Sequence, residues 1–165
     1  MKKIILTIAC IGFGICVNAQ DTAIKSVHLD SLIVKEINRY RTSLGVPTIK
    51  VFEYGEMRKI SQALTDSNSN REFIEHSKGA KIFVGYTSEC IFRYKTTQSD
   101  SFKLTEADLQ SLAKKTVQAW IDSPNHNWII SCSLAQSCTV TTVIKKRGKN
   151  FSLTASYHAK NKGIN

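Results

Sequence analysis

The chain is predicted to adopt an α+β fold in which helices come first and an antiparallel hairpin closes the sequence. Apolar residues recur at helical spacing from Leu32 to Leu44 and again from Leu109 to Trp120. Val140, Thr142 and Ile144, then Phe151, Leu153, Ala155 and Tyr157, alternate at the two-residue strand period on either side of Arg147-Gly148-Lys149-Asn150. Helices followed by antiparallel strands pack as segregated layers.

Taken in order, residues 1–19 read as a signal peptide: Lys2 and Lys3 precede the apolar run Ile4 to Val17, and Val17-Asn18-Ala19 is a small-residue cleavage site before Gln20. An exported chain follows, placed outside the cell or in the periplasm. The run is shorter than the roughly 20 residues of a membrane span, and no later stretch approaches that length, so no transmembrane anchor is expected. Cys10 comes too early in the run, and Cys16 follows Ile15, so neither suits lipid attachment. Residues 20–28 form a leader, 29–159 the domain and 160–165 a loose tail.

Asp30 or Ser31 is expected to cap the first helix, with Leu32, Ile33, Ile37, Tyr40 and Leu44 on one face and Gly45 and Pro47 as its stop. A second helix is predicted from about Gly55 to Thr65, broken by Asp66-Ser67-Asn68-Ser69-Asn70. One or two extended segments follow between Lys81 and Tyr94, where Ile82, Val84 and Tyr86 alternate, as do Cys90 and Phe92. Thr105 and Asp108 form a capping-box pattern opening the third helix, which runs through Leu112, Thr116 and Trp120.

Composition is that of one globular domain, 42% hydrophobic and 22% charged, without repeats. The net charge of +10 falls to +8 once Lys2 and Lys3 are removed. Such a balance favours anionic partners, yet the basic residues are scattered except for Lys145-Lys146-Arg147 and Lys149, at the hairpin tip. Aromatic residues do not interleave with them, and nucleic acid is not an expected partner. Of the cysteines beyond the leader, Cys132 and Cys138 are expected to close a short disulfide loop in an oxidising compartment, stabilising by roughly 2 kcal/mol. Cys90 is then left as a buried free thiol. A nucleophilic role for it is disfavoured, because the neighbouring Glu89 carboxylate works against the thiolate.

The stretch Thr116 to Ile130, TVQAWIDSPNHNWII, resembles the CAP superfamily of SCP-like secreted proteins, bacterial type, whose members carry a helix ending in Trp, then S-x-x-H and an apolar run; here these are Trp120, Ser123, His126, Ile129 and Ile130. Upstream, Asn38, Arg41, Gly45 and Ile49 match that family's opening helix, N-x-x-R-x-x-x-G-x-x-x-L. Between them, His76-Ser77 resembles its H-S pair, and Ser88-Glu89-Cys90 stands where the family has G-E-N. The likeness spans roughly Leu29 to Tyr157 and rests on order and spacing together, since each motif alone is weak.

The resemblance implies a three-layer α-β-α sandwich with an antiparallel central sheet, and a cleft lined by His76, Glu89 and His126. Such a trio can recognise an extracellular ligand, lipid or protein partner. It can equally hold zinc or another divalent metal through His76 and His126, with Glu89 as ligand or general base of a hydrolase. Glu89 could instead orient one imidazole while the other moves protons. Catalytic candidates are these same residues. Ser88 and Cys90 depart from the family's turn at the glutamate, and Ser123 stands where a further acidic residue occurs in eukaryotic members. His28 is expected to be solvated and His158 to be structural. Trp120 and Leu112 read as core, not as a lipid groove, although lipid binders occur in the family. Ser123 and Ser131 flank His126 without a nucleophile-elbow context.

Overall fold

The computed structural model describes residues 22–51, 55–76, 86–98 and 103–161. The proposed signal peptide and the segment of Ile82 and Val84 lie outside them. Among the described residues nine elements follow one another: β1 (Thr22–Ile24), α1 (Val27–Ser43), β2 (Lys50–Val51), α2 (Glu56–Asn70), β3 (Tyr86–Thr97), α3 (Glu106–Asp122), α4 (Pro124–Ser131), β4 (Ala135–Arg147) and β5 (Asn150–Asn161). The expected α+β class is observed. The sheet runs β1-β4-β5-β3 with antiparallel neighbours, and the two-residue β2 joins β4 in parallel.

Strand alternation separates two unlike faces. Cys138, Val140 and Ile144 of β4, Phe151, Leu153, Ala155, Tyr157 and Ala159 of β5 and Cys90 of β3 belong to one apolar core, with Leu29, Ile33, Ile37, Leu112, Val117, Trp120 and Ile130 of the helices α1, α3 and α4. The other face meets α2 and is polar although buried. Ser61 of α2 reaches Thr141 and His158, and Thr65 reaches Thr141 and Ser156, at 2.7–3.0 Å. Helices on both sides of the sheet make the layered sandwich. A buried hydroxyl layer of this kind is tolerated because its members satisfy one another.

Several element ends differ from the sequence expectation. The first helix starts a turn earlier, because Ser26 caps it through the Leu29 amide. The stretch read as leader contributes β1, whose Ile24 pairs with Ile144, and β5 continues into the expected tail as far as Asn161. The polar run 66–70 does not break α2. Ser69 and Asn70 bond back to the Asp66 carbonyl, and Asn68 is buried at 3% exposure, so local capping chemistry is absorbed into the helix end. The Thr105–Asp108 capping box forms as read, and Gly148 takes φ 54° in the hairpin turn, where a side chain is disfavoured.

Cys132 and Cys138 are free thiols, as is Cys90, so the expected disulfide is not formed. Cys132 ends α4 and begins the turn closed by Ala135 N–H to its carbonyl, whereas Cys138 lies in the core on β4. Burial pushes the Cys138 thiol up to about 12, against a smaller opposing effect of Arg41. Burial, and then Glu89, raises Cys90 strongly, as an inert thiol requires. In the chain lacking residues 1–19, thiol reagents are expected to leave Cys90 and Cys138 unmodified in the native protein and to titrate Cys90, Cys132 and Cys138 after denaturation; one thiol in that chain, denatured but not reduced, would restore the bridge.

Between the stretches of β4 paired by β2 and by β1, the Val140 carbonyl accepts from Arg58 of α2 at 3.3 Å, and Arg58 also meets Asp30 of α1 at 2.5 Å. Thr142 donates to the same Asp30 carboxyl at 2.7 Å. Burial outweighs these partners and raises Asp30 from 3.8 to about 6. The folded state therefore holds this proton more tightly than the unfolded chain. The corresponding stability is present below pH 3.8 and is lost as pH rises through about 6. Relative to Asp30→Asn, the wild type is expected to lose melting temperature between pH 4 and pH 6; parallel melting curves across that window would refute the assignment.

Candidate functional site

His76, Glu89 and His126, taken from three distant parts of the chain, meet at the β3 side of the sheet. Glu89 lies on β3, paired in register with His158 of β5, which is paired in turn with Thr139 of β4. The Glu89 carboxyl is 3.0 Å from His76 Nδ1 through Oε2 and 3.2 Å from His158 Nε2 through Oε1. The rings of His76 and His126 are tilted against each other with centroids 5.7 Å apart.

His76 follows α2 on a segment held in two ways. The buried Asn68 side chain exchanges hydrogen bonds with the backbone of Glu75 at 2.9 and 3.0 Å. Arg93 of β3, four residues along from Glu89, donates to the carbonyls of Asn68, Arg71 and Glu72. The polar run that looked like a helix breaker is thus the anchor that delivers His76. His126 sits in the first turn of α4, which opens with Pro124, favourable at a helix start. Asn127 fixes that elbow by accepting from Tyr40 Oη at 2.8 Å and donating to Ile121 O at 3.0 Å, and Cys90 Sγ reaches the His126 carbonyl at 3.8 Å.

His158, expected to be structural, lies behind the site against Glu89, a contact that sequence reasoning missed. It is 2% exposed, and its Nδ1 lies 3.0 Å from Ser61 Oγ. One signal pointed to it: alternation puts His158 on the same face of the hairpin as Ser152, Thr154 and Ser156, a polar face with no reason to be apolar core. His28, by contrast, is exposed as expected and pairs with Glu106 at 2.7 Å.

Glu89, His158 and Ser61 have the residue types of a hydrolase triad. Ser61 is fully buried and also engages Thr141, so its hydroxyl cannot reach a substrate carbonyl. The chain Ser61–His158–Glu89–His76 acts instead as a scaffold: Glu89 accepts from His158 Nε2–H, and Ser61 donates to His158 Nδ1. His76 Nδ1 and His158 Nε2 are directed at the Glu89 carboxylate rather than at a shared metal position. Among the described residues no group of three His, Cys, Asp or Glu is arranged to hold a metal ion. The residues present do not fit a zinc centre. Calorimetric titration of zinc is expected to show no tight one-site binding; a stoichiometric heat that vanishes in the His76→Ala/His126→Ala variant would overturn this.

His76 is the exposed member, with 58% of its side chain accessible against 12% for Glu89. Burial, and then the proximity of His76, lowers His126 below the ordinary imidazole value, against a smaller raising effect of Glu89. At neutral pH the site thus presents a neutral imidazole beside a carboxylate-held one. That suits a polar, uncharged hydroxyl or amide better than an anion.

The fold and the site together describe an α+β sandwich carrying an imidazole–carboxylate cluster at one side of its sheet. Comparison with protein-family models finds no match, and neither does comparison with curated protein sequences. Among solved structures, the chain is similar to an outer surface protein from Borrelia burgdorferi, at a TM-score of 0.56 and 12% sequence identity, over 87% of this chain and 100% of that one. At that identity the likeness concerns the fold. Among the described residues, no helix is long and apolar enough to cross a membrane.

Proposed function

We propose that this chain is an exported CAP-type domain that recognises an extracellular ligand through His76, Glu89 and His126. The observation that carries the reading is the convergence of these three residues, which the resemblance named together although 50 positions separate the first from the last. Export rests on the amino-terminal signal, and the likeness to an outer surface protein agrees with it. Glu89, backed by the buried His158, fixes the ring of His76, and His126 forms the second wall. The ligand class that fits is a hydroxyl- or amide-bearing molecule that hydrogen-bonds to the two rings. Metal-dependent hydrolysis is the lesser reading, because His76 Nδ1 is directed at Glu89 and, among the described residues, no group of three His, Cys, Asp or Glu is arranged to hold a metal ion.

An array of extracellular glycans, peptides and lipids probed with purified protein is expected to yield binders that a folded His76→Ala/His126→Ala variant no longer retains. Binders retained equally by that variant would rule out this cleft as the recognition site.

A further inference from the structure

The helices on the two sides of the sheet are held by different forces. Among the described residues, none of the side chains in the apolar core comes from α2. The buried positions of that helix are Ser61, Thr65 and Asn68, all polar, while Met57, Ile60 and Leu64 stay half-buried. Beneath it the sheet offers Thr141, Ser156 and His158, which Ser61 and Thr65 meet at 2.7–3.0 Å. The helix therefore docks through hydroxyls, where α1 and α3 dock through Leu29, Ile33, Ile37, Leu112 and Trp120.

Charged side chains complete the attachment. Lys25, just after β1, meets Asp66 at 2.7 Å, Lys145 donates to the Ser69 carbonyl at 3.3 Å and to Asn70 Oδ1 at 2.5 Å, and Arg93 of β3 donates to the carbonyls of Asn68, Arg71 and Glu72. Each of these bonds replaces a bond to water, so its net worth is a small part of its gross strength. Separating α2 from the sheet uncovers hydroxyls and an imidazole that water can satisfy. Separating α1 or α3 would instead put Val140, Leu153 and the ring of Tyr157 into water. Asn68 exchanges two hydrogen bonds with the backbone of Glu75, so the stretch that carries His76 travels with the helix.

We propose that α2 and the residues that follow it to His76 form one opening unit, which lifts from the sheet while the sheet itself and the helices on its apolar face remain folded. Opening parts His76 from Glu89, the 3.0 Å contact by which the unit touches the cluster. It leaves Glu89 behind on β3 and His126 behind on α4. The imidazole cluster is then complete only in the closed state, and helix docking governs its assembly. The unit opens in the ligand-free protein, so the inference stands apart from the recognition reading.

Native-state hydrogen exchange of the ligand-free protein, followed amide by amide by NMR where exchange reports the opening equilibrium, tests this. Amides from Ser61 to Asn68 are expected to be at least about tenfold less protected than those of Val140 to Ile144 and Leu153 to Tyr157, and to respond less to low urea, because partial opening exposes less surface. Arg93→Gln, which removes the strap on Asn68, Arg71 and Glu72, is expected to speed exchange in α2 by about fivefold and to leave the central strands within about twofold. His76→Ala, which removes the tie to Glu89, is expected to speed exchange in α2 by about threefold with the strands again unchanged. Equal protection and equal urea response in α2 and the strands would show that the helix unfolds only with the whole protein, and would overturn the proposal. Exchange in α2 that Arg93→Gln leaves unchanged, or alters equally with the strands, overturns it as well. Exchange in α2 unaffected by His76→Ala would sever the imidazole from the unit and overturn the control of the cluster.

Discussion

Replacing Arg41 by methionine is expected to lower stability by about 4 kcal/mol and the melting temperature by roughly 8–16 °C. Arg41 is completely buried, and its guanidinium donates to the carbonyls of Pro47, Ile130 and Cys132 at 2.8–3.0 Å, with Ala135 at 3.5 Å. These carbonyls belong to the loop after α1 and to the junction where α4 gives way to β4. Methionine fills much of the volume but donates nothing, so the Pro47 and Ile130 carbonyls lose the guanidinium inside the core while the Cys132 carbonyl keeps only the Ala135 amide. Lysine keeps the charge without the planar fork that spans separate acceptors, and it is expected to recover less than half of the loss. Urea unfolding monitored by Trp120 fluorescence checks both; a loss under about 1 kcal/mol for Arg41→Met would show that water replaces the guanidinium at no cost.

Replacing His158 by leucine is expected to cost about 3 kcal/mol, because it strips a hydrogen bond from Glu89 on one side and from Ser61 on the other, at a position 2% exposed. The effect should also reach the exposed site. Glu89 would keep only its bond to His76, and the ring of His76 would lose its fixed orientation. A double-mutant cycle of His158→Leu with Glu89→Gln is expected to show coupling of about 1 kcal/mol or more. Additive losses would mean that Glu89 and His158 are merely neighbours across the strands. Ligand binding measured beside stability separates a positioning role from plain unfolding: a His158→Leu protein that is folded but binds weakly fits the scaffold described above.

Much of the architecture was legible because it is written locally. The faces of α1 and α3 follow the spacing of Ile33, Ile37, Leu112 and Trp120, all buried as expected. The hairpin follows from alternation around Gly148, and the capping box from Thr105 and Asp108. The imidazole trio was legible only through resemblance, since nothing local links position 76 to position 126. The end of α2 was misread because Asp66-Ser67-Asn68-Ser69-Asn70 has loop composition, while its side chains close on carbonyls that only the folded helix and the returning segment provide. The disulfide was misread because sequence spacing says nothing of a turn followed by extended strand.

By itself the sequence determined what depends on near neighbours: the helical and strand periods, the Thr105–Asp108 capping box, the hairpin turn and the apolar side of each element. Only the tertiary structure decided what depends on register between strands far apart in the chain. Pairing Glu89 with His158 placed a buried imidazole behind the site, and pairing Thr141 with Ser156 gathered hydroxyls beneath α2. A shift of one residue in either ladder would send those side chains to the opposite face, so these arrangements are properties of the assembled sheet rather than of any segment.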